Sequence, residues 1–449
     1  MTREVANPVN VARDVRRRPR IMLGLVEIAG YYSFMHEAFR ELGVDTLPID
    51  LGRHPFRYRH EGRDDPTVVR LVRRVRDRRP EPGASRVAFF LWRLAWGPAR
   101  ILLFVWAVQR FDAFVFSTGQ SFFRGRDLPL LRLLGKRLIF VFHGSEARPA
   151  YIDGQKMTPA RALSIPECIA VARRQKAMIR RIERHAHVIV AQPAFSHFFE
   201  RPVVNWFAIG VPWKDPLPSS AGPTTAATAI RILHSPSDPP VKGSAQIREA
   251  VERLRVEGLD LELIELNRVP NEEVLRQLGT CDFAVDQLYS DAPMVGFATE
   301  AAVASKATIV GGYAWSANRA AFDAVPFPPV EECEPEEVVE AIRRLATDDI
   351  RRRALGDEAS RFVREQWSRR AIAGRVLRLI DGPPPREWMF DPRTLRYVEG
   401  CGLSRDDARD VVRRVLAEGG REALCLVDKP ELEEAFVQFA AANGSPGSG

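Results

Sequence analysis

Three residues have types and settings in which chemistry could be done: Lys242, Glu300 and His143. Lys242-Gly243 stands between a strand-like run, IRILH, and a helix-like run, SAQIREAVERLRVEG. Glycine lets a phosphate approach the backbone, a helix N-terminus offers free N–H groups and partial positive charge, and the lysine adds a full charge. The G-x-x-x-x-G-K-[ST] spacing of a P-loop is absent. Glu300 follows Gly296 at the expected start of another helix, where its carboxylate could accept two hydrogen bonds from a ribose diol. A glutamate favoured only by the helix dipole would stand there too. His143 ends the strand of LIFVFHGSEARP, and ligands in open parallel α/β sheets bind at the carboxyl ends of strands. Hydrogen-bonded core histidines also occupy such places. An amine at one helix entrance and a carboxylate at another would hold a nucleotide at its phosphate end and its sugar end.

The elements around these residues alternate. RIMLGLV, a loop with Gly30, SFMHEAFRELG and VDTLPID read as a strand, turn, helix and strand, with Gly30 at the tight turn. FDAFVFST, LIFVFHG and HVIVAQ are further strands, and NWFAIGVPW is an irregular descent. Residues 214–229, KDPLPSSAGPTTAATA, mark the clearest boundary. Beyond it RILHS, LDLELIEL, DFAVDQLY and TIVGG are strands apolar on both faces, alternating with helices. That pattern predicts a parallel sheet covered by helices on both sides. The expected division is a basic lead-in over 1–19, a Rossmann-like domain over 20–212, a linker over 213–230, a second Rossmann-like domain over 231–382, and a helical extension with a flexible tail over 383–449.

VAFFLWRLAWGPARILLFVWAV (87–108) is the most apolar stretch. Arg93 and Arg100 interrupt it, and the longest uncharged run, Ile101 to Gln109, falls short of the roughly 20 residues a bilayer requires. The first expectation is two buried helices broken at Gly97-Pro98. The alternative is one helix at a membrane interface, with Trp92, Trp96 and Trp106 beside arginines.

At 449 residues the chain needs at least two cores. Its five cysteines have neither metal-ligand spacing nor a disulfide framework, which points to a reducing, cytoplasmic setting without a metal site. The N-terminus lacks the apolar core of a signal peptide. The net charge of +8 admits a solvated arginine-rich face or an anionic membrane surface, with the protein peripheral at the inner face of the membrane. Nucleic acid is not an expected partner, because zinc-finger spacing, RNP-like motifs and aromatic-basic interleaving are absent.

From about Arg20 to Ile380 the order of motifs resembles a GT-B glycosyltransferase of family 4. FVFHGSEARP is similar to the family's His-containing loop and FAIGVPW to its descent from the first domain. HSPSDPPVKGS is similar to its lysine-glycine loop and GFATEAAVASKATIVGG to its carboxylate helix. FVREQWSRRAIAGRVLRLI is similar to its final helix, which crosses back to the first domain. The resemblance implies an α/β fold of two Rossmann-like domains facing across a cleft, and sugar transfer with retention and without a metal. The nucleotide-sugar would be a co-substrate rather than a cofactor, and the acceptor a glycan, a lipid-linked molecule or a natural product. It implies that Lys242 binds the diphosphate and stabilises the leaving group, that Glu300 binds the ribose, and that His143 contacts the transferred sugar. Gly30, Gly243 and Gly296 would line the donor.

The chain departs from the family twice. Pro236, Asp238, Pro239 and Pro240 stand where an arginine usually precedes the lysine, with Arg268 or Arg148 as candidate replacements. Ala292 stands where an earlier glutamate is usual, with Asp291 the nearest carboxylate, and the intervening turn is altered to Pro293-Met294-Val295-Gly296. These departures leave open a catalytically weakened GT-B binding or partner module; a sugar-nucleotide epimerase or a phosphorylase of the same fold is a further alternative.

Overall fold

The computed structural model describes residues 18–52, 65–81, 83–158, 161–213 and 229–442. The lead-in as far as residue 17, the linker over 214–228 and the tail from 443 lie outside the described residues.

The first domain runs β1 (Ile21–Leu25), α1 (Tyr31–Glu41), β2 (Thr46–Asp50), α2 (Thr67–Asp77), α3 (Arg86–Arg110), β3 (Ala113–Ser117), α4 (Leu128–Leu133), β4 (Arg137–Val141), α5 (Gly154–Met157), α6 (Ile165–Glu183), β5 (Val188–Ala191), β6 (Val203–Asn205) and α7 (Trp206–Ile209). The second runs β7 (Ile230–His234), α8 (Pro239–Lys242), α9 (Ser244–Val256), β8 (Leu261–Glu265), α10 (Asn271–Leu278), β9 (Phe283–Gln287), α11 (Gly296–Val303), β10 (Ala307–Gly311), α12 (Trp315–Ala320), β11 (Glu331–Cys333), α13 (Val338–Thr347), α14 (Asp349–Gln366) and α15 (Arg369–Asp381). The C-terminal segment adds β12 (Met389–Phe390), α16 (Arg405–Gly419) and α17 (Pro430–Ala441).

The first sheet has the order β12-β6-β5-β4-β3-β1-β2 and the second β11-β10-β9-β7-β8. Every pairing is parallel except β12 against β6. Successive side chains of a strand point to opposite faces, so the apolar strands feed two cores. Phe114, Phe116, Leu138 and Phe140 enter the core beneath α3 and α6. Their neighbours Ala113, Val115, Ile139 and Val141 enter the core beneath α1 and α15. These are two Rossmann-like parallel-sheet domains, the GT-B arrangement expected from the sequence.

The returning helix closes the architecture. α15 packs against α1, and the Arg137 side chain donates to the carbonyls of Leu379 and Gly382. At its entrance Trp367 is buried, donating Nε1 to the Phe207 carbonyl at 3.3 Å and accepting from Trp213 Nε1 at 3.0 Å. Gly210, at φ +101°, makes room for it: a Cβ there would stand 2.5 Å from the Trp367 ring.

One element departs from expectation. Residues 86–110 form one continuous helix, not two buried ones. Pro98 removes one internal hydrogen bond and would break an isolated helix, but the packed face of Ala99, Leu103, Phe104 and Ala107 holds the helix on the core. The C-terminal segment is built into the first domain. β12 extends its sheet, Leu403, Val412, Val415 and Phe436 join its core, and Tyr151 Oη donates to the Leu424 carbonyl at 3.0 Å.

Candidate functional site

The carboxyl ends of the two sheets face each other, as their loops show. Arg148, after β4, donates to one carboxylate oxygen of Asp291, after β9, from Nε at 2.9 Å and Nη2 at 2.5 Å. Arg161 of the first domain reaches Asp238 in the loop after β7. Asp291 leads into Ala292 and Met294, which join Tyr31, Trp206 and Phe207 in an apolar seam between the domains.

His143 lies just past β4. Its Nε2 is 3.2 Å from Tyr32 Oη, and the rings of Tyr31 and Trp206 stand edge-on to it at 4.9 Å and 5.9 Å. Its backbone N–H donates to Glu146 Oε1 at 2.5 Å. Burial pushes the imidazole pKa down to about 3. His143 is therefore a neutral hydrogen-bonding group near pH 7, not a cation.

Gly30 holds the expected tight turn at φ +81°, immediately before α1. The N-terminus of α1 is already occupied by an anion from the chain itself. The Glu27 carboxylate accepts from the backbone N–H groups of Ile28, Tyr32 and Ser33 and from Ser33 Oγ, at 2.7 to 3.1 Å. Burial pushes the Glu27 pKa up, and the hydrogen bonds pull the other way.

The second domain differs. Lys242 ends the single turn of α8, and Gly243, at φ +74°, is both the last cap of that turn and the first of α9. A Cβ on Gly243 would lie 2.9 Å from Leu288 Cβ, so the chain fits there only as glycine. α9 begins without a side-chain cap. Lys242 Nζ is 3.4 Å from Oδ1 of the buried Asp286 on β9. His234, buried at the end of β7, bridges the Val285 carbonyl and Ser244 Oγ, each at 2.8 Å, and so fixes the α9 entrance.

α11 also starts without a side-chain cap, at Gly296. Glu300 stands in its second turn rather than at its opening, and Asn271 Nδ2 donates to Glu300 Oε1 at 2.8 Å. Arg268 is exposed in the loop after β8 at φ +58°. Arg148 and Asp291, each proposed from sequence as a substitute, are partners of one another.

Sequence reasoning missed four contributors. Glu27 and Asp286 are strand-end carboxylates that showed no motif of their own. Arg161 comes from another domain. The fourth is the C-terminal turn Gly400-Cys401-Gly402. Gly154 N–H donates to the Cys401 carbonyl at 2.8 Å, and Gly402 N–H donates to the Tyr289 carbonyl of the second domain at 2.7 Å. This turn is wedged between the domains beside Val241, the neighbour of Lys242; a Cβ on Gly402 would lie 2.6 Å from Val241 Cγ1.

No family model and no curated protein matches the chain. Solved structures do resemble it. Anabaena HepE in complex with UDP and glucose is 11% identical, with 81% of this chain and 100% of that one covered and a TM-score of 0.49. The catalytic domain of starch synthase IV from Arabidopsis thaliana, bound to ADP and acarbose, is 12% identical, with 80% and 100% covered and a TM-score of 0.45. A putative UDP-N-acetylglucosamine 2-epimerase from Listeria monocytogenes is 10% identical, with 80% and 95% covered and a TM-score of 0.39. Likeness at this level assigns no activity, and the architecture rests on the strand order of the chain's own two sheets.

Proposed function

We propose that the protein is a glycosyltransferase, similar to family 4, that moves a sugar from a nucleotide-sugar held on its second domain to a glycan, lipid-linked or natural-product acceptor. One contrast carries this reading. None of α1, α9 and α11 is capped by its N-cap side chain, but the α1 entrance is occupied by the Glu27 carboxylate, whereas Lys242 stands beside the α9 entrance and Glu300 in the second turn of α11. Positive charge at a helix entrance with an adjoining lysine suits a diphosphate, and the carboxylate suits a ribose diol. Charge builds on the diphosphate as the glycosidic bond breaks. Lys242, drawn from Asp286 to the phosphate, and the α9 N–H groups would stabilise it from fixed positions. Those groups would do so without a metal, and His143 would bond a sugar hydroxyl as a neutral imidazole. Retention of configuration belongs to the same proposal.

A second reading, a GT-B protein that binds without transfer, is favoured by the pairing of Asp291 with Arg148 and by the Gly400–Gly402 turn between the domains. The test is a thermal-shift panel of UDP, GDP, ADP, CMP and dTDP with their sugars, followed by assay of nucleoside diphosphate release. Ligand at a hundredfold excess over Kd stabilises by about 2.7 kcal/mol. Transfer predicts a shift and an acceptor-dependent release. A shift without release under any acceptor supports the binding module, sugar interconversion without an acceptor supports an epimerase, and no shift with any nucleotide removes the transferase reading.

A further inference from the structure

We propose that the outer face of α3, continued by α4, is a docking surface for an anionic lipid bilayer. Val87, Phe90, Leu91, Leu94, Ile101 and Val105 recur at the three- and four-residue spacing of one helix face, and every one of them is exposed, Phe90 at 60% and Leu91 at 59%. In a water-facing helix this stripe belongs against the core; here the core takes the opposite face, with Ala99, Leu103 and Ala107. α4 adds Leu130 and Leu133, the latter 82% exposed. Apolar side chains clustered on this scale mark an interaction surface rather than scattered exposure.

The charges select the partner. Residues 86–110 and 128–133 contain arginines and no carboxylate. Beside α3 a groove of about 590 Å³ is lined by Arg100, Arg124, Arg126 and Arg181, and its single acid, Asp127, is held by Ser121 Oγ and the Phe122 and Phe123 N–H groups. A second groove that shares Arg181 adds Arg173, Arg184 and Arg180, the last paired with Glu200, against one acid in its lining, Glu422. Trp92 and Trp96 stack at 5.6 Å on the inner side of α3, where Trp92 Nε1 donates to the Val75 carbonyl and Trp96 packs on the core, while Arg100 lies over the Trp96 ring. Apolar side chains flanked by arginines suit the boundary between acyl chains and anionic headgroups.

By length and composition α3 could cross a bilayer. Crossing would pull Leu103, Phe104 and Ala107 out of the core, so the helix lies on the surface rather than through it. α3 ends at Arg110 and β3 starts at Ala113. The helix therefore runs against the parallel strands, and its N-terminal half lies toward their carboxyl ends, where His143 is. Docking along this face would lay the strands along the bilayer, with the cleft end beside it. The consequence that a lipid-borne acceptor is presented there rests on the transferase reading; the docking itself does not.

The experiment is co-sedimentation of the full chain with phosphatidylcholine vesicles, with and without phosphatidylglycerol, at low and high salt, for the parent and for Leu91→Asp/Leu94→Asp. The parent should pellet with the anionic vesicles, less so at high salt, and the variant should bind at least about tenfold more weakly with an unchanged Tm. A parent that does not pellet, or a variant that pellets equally, overturns the proposal. So does a parent that is dimeric without lipid and becomes monomeric in the variant, because a second copy would then cover the face. If the variant does not fold, a Phe90→Trp protein, which places an indole on the exposed stripe, should gain quenching over the parent by lipids brominated in the acyl chains, and no gain overturns the proposal. None of these readouts uses nucleotide, so failure here and failure of the transferase reading are distinguishable.

Discussion

Arg148 donates twice to one carboxylate oxygen of Asp291, and both side chains are almost fully buried, at 7% and 5% exposure. The bond ties the loop after β4 in one domain to the loop after β9 in the other, so the width of the cleft is linked to a buried ion pair, alongside the exposed pair of Arg161 with Asp238. Asp291→Ala would leave the guanidinium buried with Asp153, 3.6 Å away, as its remaining carboxylate among the described residues. Breaking such a pair from one side costs about 3–5 kcal/mol. Urea unfolding should show that loss in Asp291→Ala and much of it recovered in Arg148→Met/Asp291→Leu. An unchanged midpoint in the single variant would show that the pair does not join the domains.

Glu300 is expected to read the ribose. A ribonucleotide should bind the parent more tightly than its 2′-deoxy analogue, by about 1.5–3 kcal/mol for one hydrogen bond to a charged group. Glu300→Gln should narrow that gap while leaving Asn271 a partner. Equal discrimination by both proteins, read by calorimetric titration, would remove Glu300 from the donor site.

Gly402 and Gly420 separate steric contact from backbone strain. Both have positive φ, +78° and +61°. A side chain at Gly402 meets Val241, whereas nothing lies within 4 Å at Gly420. Each alanine variant should lose about 1–3 kcal/mol from a positive-φ backbone, that of Gly420 having ψ −169°. Only Gly402→Ala should also weaken nucleotide binding, by moving Val241 and with it Lys242. Equal nucleotide affinity in the two variants would place the C-terminal turn outside the site.

His197 predicts an acid limb to stability. It is fully buried, its Nε2 donates to the Tyr397 carbonyl at 2.8 Å, and burial pushes its pKa down to about 3 from 6.5, with Lys429 repelling the charged form. The unfolded chain then binds the proton more readily than the folded one. Stability is lost as pH falls from about 6.5 toward 3, by at most about 5 kcal/mol from this group. His197→Gln keeps a donor and should flatten part of that slope in Tm against pH. An identical slope would show that His197 does not govern it.

The sequence made the alternation of strands and helices legible, because strands buried on both faces are continuous apolar runs such as LIFVF and FDAFVF. It did not reveal β6, β11 or β12, which are three residues or fewer and carry no periodicity. α3 was read through Gly97-Pro98 as a break, because local propensity cannot register the packing that holds the helix together. At the site, Lys242 and Gly243 were found because a lysine-glycine turn between a strand and a helix has a local signature. The partners Asp286, Asn271 and Glu27 were not, because a carboxylate or amide at a strand or helix end looks the same whether it faces solvent or a buried cation. The Gly400–Gly402 turn arrives from about 160 residues beyond Lys242, a distance that no pattern of spacing bridges.

The central claim is that the second domain holds a diphosphate at Lys242 and the α9 entrance. Calorimetric titration of the parent and Lys242→Gln with a nucleoside diphosphate and with the matching nucleoside tests it most directly. The parent should prefer the diphosphate, and Lys242→Gln should lose about 1.5–3 kcal/mol of that preference while binding the nucleoside as before. Equal diphosphate affinity in the two proteins would contradict the claim.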